Sequence, residues 1–299
     1  MKKLNLLFIS FLSCLFWACS SKTSQTIRIG IIADIQYCDC ETKGSRFYRN
    51  SLPKLEEAIA FMNKENVQLT MNLGDLVDRD TPNNIEEILT RLQKLDNEVY
   101  NITGNHDYNG ITDNEALYKQ LGMPASYYSF TEGDWRFVML NTNEVASYAN
   151  ITGSPLEAEL ELMLAQIREA GRKNGASYNG GISKKQLAWL KQELETAQEE
   201  DERVIVCSHH PLYAAPGLTA LNDLEILEVL SAYPCVKAGI SGHHHPGDFA
   251  TYKGIPFITT EGMIETENEN AYGILELTKK QIILTGKGRT KSYTLQIRK

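Results

Sequence analysis

The residues with chemistry to offer stand in five short runs. Asp34 and Gln36 occur in Ala33-Asp34-Ile35-Gln36, Asp75 and Asp78 in Gly74-Asp75-Leu76-Val77-Asp78, and Asn105 and His106 in Gly104-Asn105-His106-Asp107. Ser208-His209-His210-Pro211 and Ser241-Gly242-His243-His244-His245 follow. All six histidines of the chain fall in the last three runs. One such histidine alone is more often a packed or solvated side chain than a ligand. Carboxylates, amides and imidazoles grouped in this way suit a metal site. Oxygen and imidazole donors without thiolate point to manganese, iron or zinc, and away from copper(I) or a structural cysteine-zinc site.

Each run follows a short apolar stretch that reads as a strand. These stretches are Ile27 to Ala33, Val67 to Leu73, Glu98 to Ile102, Arg203 to Cys207 and Cys235 to Ile240, with Arg136 to Asn141 a sixth. In layered α/β proteins ligands gather beyond the carboxyl ends of strands, so five such loops can converge on one crevice. Helical stripes lie between the strands: Leu55, Ile59 and Met62 share one face, as do Ile88, Leu92 and Leu95. Ser183 and Gln186 form a capping box ahead of Leu187, Leu190 and Leu194. After His245 only short strands remain, around Phe257, Ile274, Ile283 and Leu295. Alternation followed by a β-rich tail predicts one α/β domain over residues 26–299, with two packed sheets and helices outside. Within it, residues 144–180 stand apart as an insertion, where Leu156, Leu160, Met163 and Ile167 make a helical stripe between loops rich in Gly, Ser and Asn. The segment reads as a surface helix packed on the domain, with a lid or specificity element as the functional alternative.

The composition fits such a domain. Of 299 residues, 42% are hydrophobic and 23% charged, which is too apolar for a disordered chain. The 38 acidic side chains against 30 basic ones leave a net charge of -8, which argues against a general nucleic-acid binder. Lys2 and Lys3 precede an apolar run from Leu6 to Ala18. That run falls short of the roughly 20 residues needed to span a bilayer and reads as a secretory signal. It resembles a bacterial lipoprotein leader over residues 1–18, with Cys19 lipidated. The mature protein is then expected to be an exported lipoprotein, anchored to a membrane and facing the periplasm or cell exterior. Processing at Cys14, or plain cleavage after Ser20, are the rival readings. Cys38, Cys40, Cys207 and Cys235 are too sparse for a disulfide scaffold and read as small core and loop residues. There is no P-loop, no G-x-G-x-x-G after the first strand and no G-x-S-x-G elbow.

In their order the five runs resemble the calcineurin-like metallophosphoesterases, whose motifs are D-x-H, G-D-x-x-D, G-N-H-[DE], H-x-P and G-H-x-H. Gln36 stands where most members have histidine, and Asp34-Ile35-Gln36-Tyr37 is similar to the manganese-dependent ADP-ribose/CDP-alcohol diphosphatase branch. Phe47 to Leu52, Asn179 to Ser183, Glu261 to Thr266 and Gly286 to Arg289 are similar as well. Two features depart from that branch: the loop between Asp39 and Arg46 is short, and Arg79 stands where a small residue is usual. The resemblance implies a four-layer αββα sandwich, two packed mixed β-sheets flanked by helices.

It also implies roles. Asp34, Gln36, Asp75 and His245 would hold one metal, and Asp75, Asn105, His209 and His243 the other, with Asp75 the bridge. Two divalent ions are implied, manganese foremost, with iron, zinc or magnesium as the other candidates. Such ions, roughly 3.5 to 4 Å apart, lower the pKa of a shared water enough to make a bridging hydroxide that attacks phosphorus in line. His106 is then an acid or transition-state donor oriented by Asp78, and Arg79 a phosphate contact. His244 points away from the metals and His210 lies behind the ligands. Gln36 exchanges an imidazole for a harder, weaker amide oxygen, which should tilt the first site toward manganese and lower its affinity.

The function this implies is hydrolysis of the pyrophosphate in ADP-ribose-like or CDP-alcohol-like nucleotides. The partners expected are a small phosphorylated substrate and a membrane, with no nucleic acid. The alternatives are an exported phosphomonoesterase or phosphodiesterase of the same fold, and a non-catalytic lipid-anchored binding protein that keeps its metals for recognition.

Overall fold

Alternate residues of two neighbouring strands, β5 (Trp135–Met139) and β6 (Arg203–Ser208), belong to different cores. Phe137, Met139, Ile205 and Cys207 join one cluster, while Val138, Val204 and Val206 join another. Successive side chains of a strand point to opposite faces, so this sheet is covered by apolar material on both sides. In the computed structural model, which describes residues 26–298, its strand order is β4-β5-β6-β7-β9-β8. The added strands are β4 (Tyr128–Glu132), β7 (Val236–Ser241), β8 (Asp248–Tyr252) and β9 (Ile255–Thr259). The proposed leader and Cys19 lie outside the described residues.

The second sheet runs β12-β11-β10-β1-β2-β3. It is built from β1 (Ile27–Ile32), β2 (Leu69–Asn72), β3 (Glu98–Asn101), β10 (Ala271–Leu277), β11 (Gln281–Gly288) and β12 (Tyr293–Gln296). Met71 of β2 meets Cys207 of β6 with their sulfurs 3.6 Å apart, so the two sheets pack face to face there. The outer face of the β1 sheet is covered by α1 (Ser51–Lys64) and α2 (Thr81–Leu92), through Leu55, Ile59, Met62, Ile85 and Ile88. On the other sheet α5 (Lys184–Glu199) and α6 (Asp223–Ala232) supply Leu190, Leu194, Ile226 and Leu230. Helices therefore sit outside two mixed sheets. Strands β1, β2 and β3 are mutually parallel, as are β6 and β7, so the five polar runs all leave carboxyl ends.

Several expectations need correction. The edge strands β4 and β8, the short α3 (Asn114–Gln120) and α6 are absent from the sequence reading. Edge strands are half exposed and show weak alternation, and α6 starts without a side-chain cap because Asn222 bonds Ile182 instead. Leu95 lies beyond the end of α2. Ser183 caps α5 by accepting the Gln186 N–H at 3.0 Å, but the Gln186 side chain does not return to complete the box. It binds Asn141 instead, accepting its N–H at 2.9 Å and donating to its carbonyl at 3.1 Å, which ties α5 to the end of β5. Cys38 and Cys40 form a disulfide, contrary to the reading of both as simple packing residues. Cys207 and Cys235 are free and buried.

Within residues 144–180, α4 (Pro155–Glu169) buries Met163 and Ile167 against Val145 and Leu221. The helix packs on the domain. The stretch that follows it, ending at Tyr178 and Asn179, reaches the polar runs.

Candidate metal centre

The loops after β2 and β3 touch through their backbones. Gly74 takes φ +92°, and a Cβ there would lie 2.6 Å from the Gly104 nitrogen; one on Gly104 would lie 2.1 Å from an Asp75 oxygen. Only glycine at both places permits this approach. Asp107, fully buried, holds the two loops together by accepting N–H groups from Asp75 at 3.0 Å, Leu76 at 2.7 Å, Val77 at 3.2 Å and Gly104 at 2.8 Å. Burial, with Asp75 next to it, pushes the Asp107 carboxyl up against the pull of these N–H groups. Its position in the Gly104-Asn105-His106-Asp107 run is the one sequence signal for this clamp.

Asp34, Gln36, Asp75 and His243 adopt left-handed backbones, with φ of 52°, 44°, 57° and 68°. Each costs about 1–2 kcal/mol for a residue with a Cβ. Four such residues in one place mean that the surrounding structure enforces the direction of their side chains.

Those side chains converge. The Asp75 Oδ2 atom lies 2.8 Å from Gln36 Nε2 and 3.4 Å from His209 Nε2. On one side of Asp75, His209 Nε2 is 3.1 Å from Asn105 Oδ1 and 3.2 Å from His243 Nδ1. Ligand atoms of Asp75, His209 and His243 lie within 4.8 Å of one another. On the other side, His245 Nε2 is 3.5 Å from Asp34 Oδ1 and 3.2 Å from Gln36 Nε2. The structure thus brings together all seven residues that the sequence reading proposed as ligands, with Asp75 between the two groups.

The outward nitrogens of the histidines decide which of them can bind a cation. His209 Nδ1 bonds the Leu73 carbonyl at 2.8 Å, His245 Nδ1 the Glu265 carboxylate at 2.7 Å, and His243 Nε2 the Asn179 amide oxygen at 3.1 Å. An oxygen that only accepts requires the proton on that nitrogen, leaving a lone pair on the inward one, as metal-binding histidines require. His210 differs: Nδ1 is 2.9 Å from the Thr142 hydroxyl and Nε2 is 3.1 Å from the Tyr178 carbonyl. Both its nitrogens are engaged, and burial pushes it down to about 3, so it stays neutral behind the ligands. His244 contributes to the wall of the cavity over the ring.

The charge and donor set fit divalent cations. Burial works against charge on Asp75, yet His209 and His106 hold its carboxyl well below the usual range. Burial likewise opposes the cationic forms of His209 and His245, but Asp75 and Asp34 respectively override it and hold each at about 9. The ring therefore attracts positive charge, and a metal would displace these protons. Gln36 Oε1 is buried without a partner. A half-turn of the amide, which exchanges atoms of nearly equal size, presents that oxygen to the ring. These residues fit a metal centre.

His106 stands at its edge. Its Nδ1 bonds the Asp78 carbonyl at 2.8 Å, while the Asp78 carboxylate is 3.5 Å away. Asp78 thus orients the ring mainly through its backbone and leaves Nε2 for a substrate. The Asp78 carboxylate is shared by Arg79 at 2.8 Å and Arg46 at 3.4 Å. Arg46, together with His106, Tyr178 and Leu218, lines the cavity of about 530 Å³ over the ring; Arg79 does not.

Sequence reasoning passed over the individual roles of Arg46, Asn179 and Glu265. Asn179 and Glu265 lie in stretches similar to the diphosphatase branch, but nothing in their type or spacing assigns each to its histidine. The loop carrying Glu265 is itself fastened. Lys54 donates to the carbonyls of Met263 at 3.1 Å, Glu265 at 2.9 Å and Thr266 at 2.6 Å, and Arg289 to those of Gly262 at 2.9 Å and His245 at 3.0 Å.

Comparison with known proteins agrees with this geometry. The calcineurin-like phosphoesterase family model matches residues 27–247. Proteins named manganese-dependent ADP-ribose/CDP-alcohol diphosphatase from Oryza sativa subsp. japonica and Arabidopsis thaliana are 28% and 29% identical to it. Those matches cover 89% and 88% of this chain, and 93% and 94% of the relatives. The crystal structure of a dimetal phosphatase from Danio rerio matches 91% of this chain and 99% of its own, with a TM-score of 0.83 and 26% identity. The chain belongs to the calcineurin-like phosphoesterase family, hydrolases of phosphoester and phosphoanhydride bonds, and is related within it to the manganese-dependent ADP-ribose/CDP-alcohol diphosphatases.

Proposed function

We propose that the protein hydrolyses the pyrophosphate bond of ADP-ribose-like or CDP-alcohol-like nucleotides at a centre of two divalent ions, manganese foremost. The observation that carries this reading is the placement of the Asp75 carboxylate between Gln36 on one side and His209 on the other. Asp34, Gln36, Asp75 and His245 would hold one ion, and Asp75, Asn105, His209 and His243 the second. When bound, such ions lower the pKa of water and offset charge on phosphoryl oxygens. Around them, His106 Nε2 is available to the leaving oxygen and Arg46 to a phosphoryl oxygen. A phosphate is already a good leaving group, so pyrophosphate asks little proton donation from His106. The names of the diphosphatase relatives support the substrate class.

The test is a phosphate-release panel on the soluble body from Ser20, covering ADP-ribose, CDP-choline, simple nucleotides and an aryl phosphodiester. Each is assayed with manganese, magnesium, zinc and no metal. Pyrophosphates should be preferred with manganese, and Asp75→Asn should lower kcat about a thousandfold, or about 4 kcal/mol. Preference for monoesters would overturn the substrate assignment. The run from Leu6 to Ala18 ahead of Cys19 supports export and lipid anchoring as part of the same reading, and Cys19→Ser should then release the protein from the membrane fraction.

A further inference from the structure

The cavity over the metal ring has a neighbour. A hollow of about 460 Å³ shares Arg46 and His106 with it, and its wall includes Lys43, Tyr48, Asp78 and Arg79. Three cationic side chains there face the Asp78 carboxylate, and Arg46 is also 3.9 Å from Glu265.

The placement of those cations is built in. Lys43 and Arg46 exchange both backbone hydrogen bonds, each 3.1 Å, across the two-residue turn Gly44-Ser45. Directly opposed residues of such a ribbon send their side chains to the same face. Arg46 also bridges Glu265, which joins this ribbon to the loop behind His245. Arg79 lies over Tyr48 with its guanidinium carbon 5.3 Å from the ring centre, Nη2 3.2 Å from the hydroxyl and Nε 2.9 Å from Asp78 Oδ2. An arginine restrained in this way loses little further freedom when it binds an anion. Asp78, paired with Arg79 and Arg46, and Glu265, paired with Arg46, offset part of the three charges and leave the groove cationic. Arg49, by contrast, is committed to Asp39 at 2.7 Å and Glu41 at 2.8 Å.

We propose that this groove seats the second phosphoryl group of the substrate, the one that leaves. The enzyme then prefers substrates whose scissile oxygen lies between two phosphorus atoms. This rests on the phosphoanhydride reading above and assigns its leaving side. Arg46 and His106 form the wall common to both hollows, where the bridging oxygen of a substrate spanning them must pass. Hydrolysis joins the oxygen of one water to the phosphorus over the ring and breaks the bridging P–O bond. The electron pair stays on the bridging oxygen, which departs with the phosphoryl group in the groove, and the proton released by the water passes to solvent.

The test is the Lys43→Gln/Arg79→Gln double variant, with melting temperature as the check on folding. Steady-state kinetics are compared for ADP-ribose and for bis(p-nitrophenyl) phosphate, which has one phosphorus. Loss of kcat/KM should be about tenfold greater for ADP-ribose than for the diester, as expected for removing charge-assisted hydrogen bonds. Independently of turnover, calorimetry with adenosine 5′-(α,β-methylene)diphosphate should show binding weakened about tenfold, and binding of AMP weakened less. Equal losses on both substrates, or unchanged binding of the methylene analogue, overturn the groove assignment. Wild-type protein that cleaves the diester but neither ADP-ribose nor CDP-choline overturns the phosphoanhydride reading instead.

Discussion

Glu265 accepts the Nδ1 proton of His245 at 2.7 Å, and that bond fixes which nitrogen of the imidazole faces Asp34. The His245 partner holds Glu265 as an anion: the hydrogen bond brings its carboxyl down to about 2 despite partial burial. Carboxylates behind metal histidines set the tautomer and ring direction and raise donor strength. Glu265→Ala should weaken manganese binding by about 10–100-fold, read by calorimetric titration. Unchanged affinity would reduce Glu265 to a surface partner.

Gln36→His tests the choice of an amide at the first site. Histidine tolerates the left-handed backbone there better than most residues, at a φ of 44°, so the variant should fold. Imidazole binds zinc and iron well, whereas an amide oxygen suits manganese. The variant should bind metal more tightly and shift preference from manganese toward zinc, on the order of tenfold in the affinity ratio. Competition titrations with the two ions measure it, and an unchanged ratio refutes it.

His106 is tied through Nδ1 to the Asp78 carbonyl and so has one nitrogen to offer. As a proton donor, it should matter most where the leaving group is poor. His106→Gln should lower kcat about 100-fold or more on aryl phosphodiesters of high leaving-group pKa, with a smaller loss as that pKa falls. A loss of the same size across the series would mean that His106 only positions the substrate.

Lys54 links stability to pH. Its ammonium is buried under the 263–266 loop, and burial, then the Arg289 charge, lowers its pKa from 10.5 to about 8. Folding therefore favours the neutral amine. The cost of burying the cation is present in full below about pH 8, shrinks as pH rises toward 10.5, and is gone above it. The wild type should gain stability relative to Lys54→Met between pH 7 and pH 10, by less than the roughly 2–3 kcal/mol that the shift alone gives, because the neutral amine keeps two N–H groups for three carbonyls. Paired urea denaturation curves at the two pH values check the sign.

Cys207 is fully buried and its thiol is pushed up to about 12 by that burial, while Cys235 is nearly as hidden. The folded body from Ser20 should show no accessible thiol to an aromatic disulfide reagent at pH 8. In denaturant without reductant Cys207 and Cys235 should react, and after reduction Cys38 and Cys40 as well. Labelling of Cys38 in the folded, unreduced protein would show that its bridge to Cys40 does not form.

Legibility in the sequence follows the range of the interaction. The strands before four of the five runs are apolar and central, so their existence shows in a few consecutive residues, and β3, an edge, is legible because its apolar stretch continues to a buried Ile102; β4 and β8 are edges, and their pattern is diluted by solvent. Arg79 attracts notice as a charge in a motif, yet only its stacking on Tyr48 and its distance from the ring turn it toward the neighbouring groove. Arg46, Asn179 and Glu265 belong to no metal-ligand pattern. Their importance comes from His106, His243 and His245, brought beside them by other strands.

The sequence by itself determined the candidate ligand types, because a metal accepts few donor chemistries and a strand end offers few positions from which to present them. The tertiary structure alone decided which nitrogen of each histidine faces the ring, that Asp107 joins two loops, and that Lys43, Arg46 and Arg79 gather at one hollow beside the ring. Those outcomes depend on hydrogen bonds between residues tens to hundreds of positions apart, and only the packing of the two sheets brings such groups within reach.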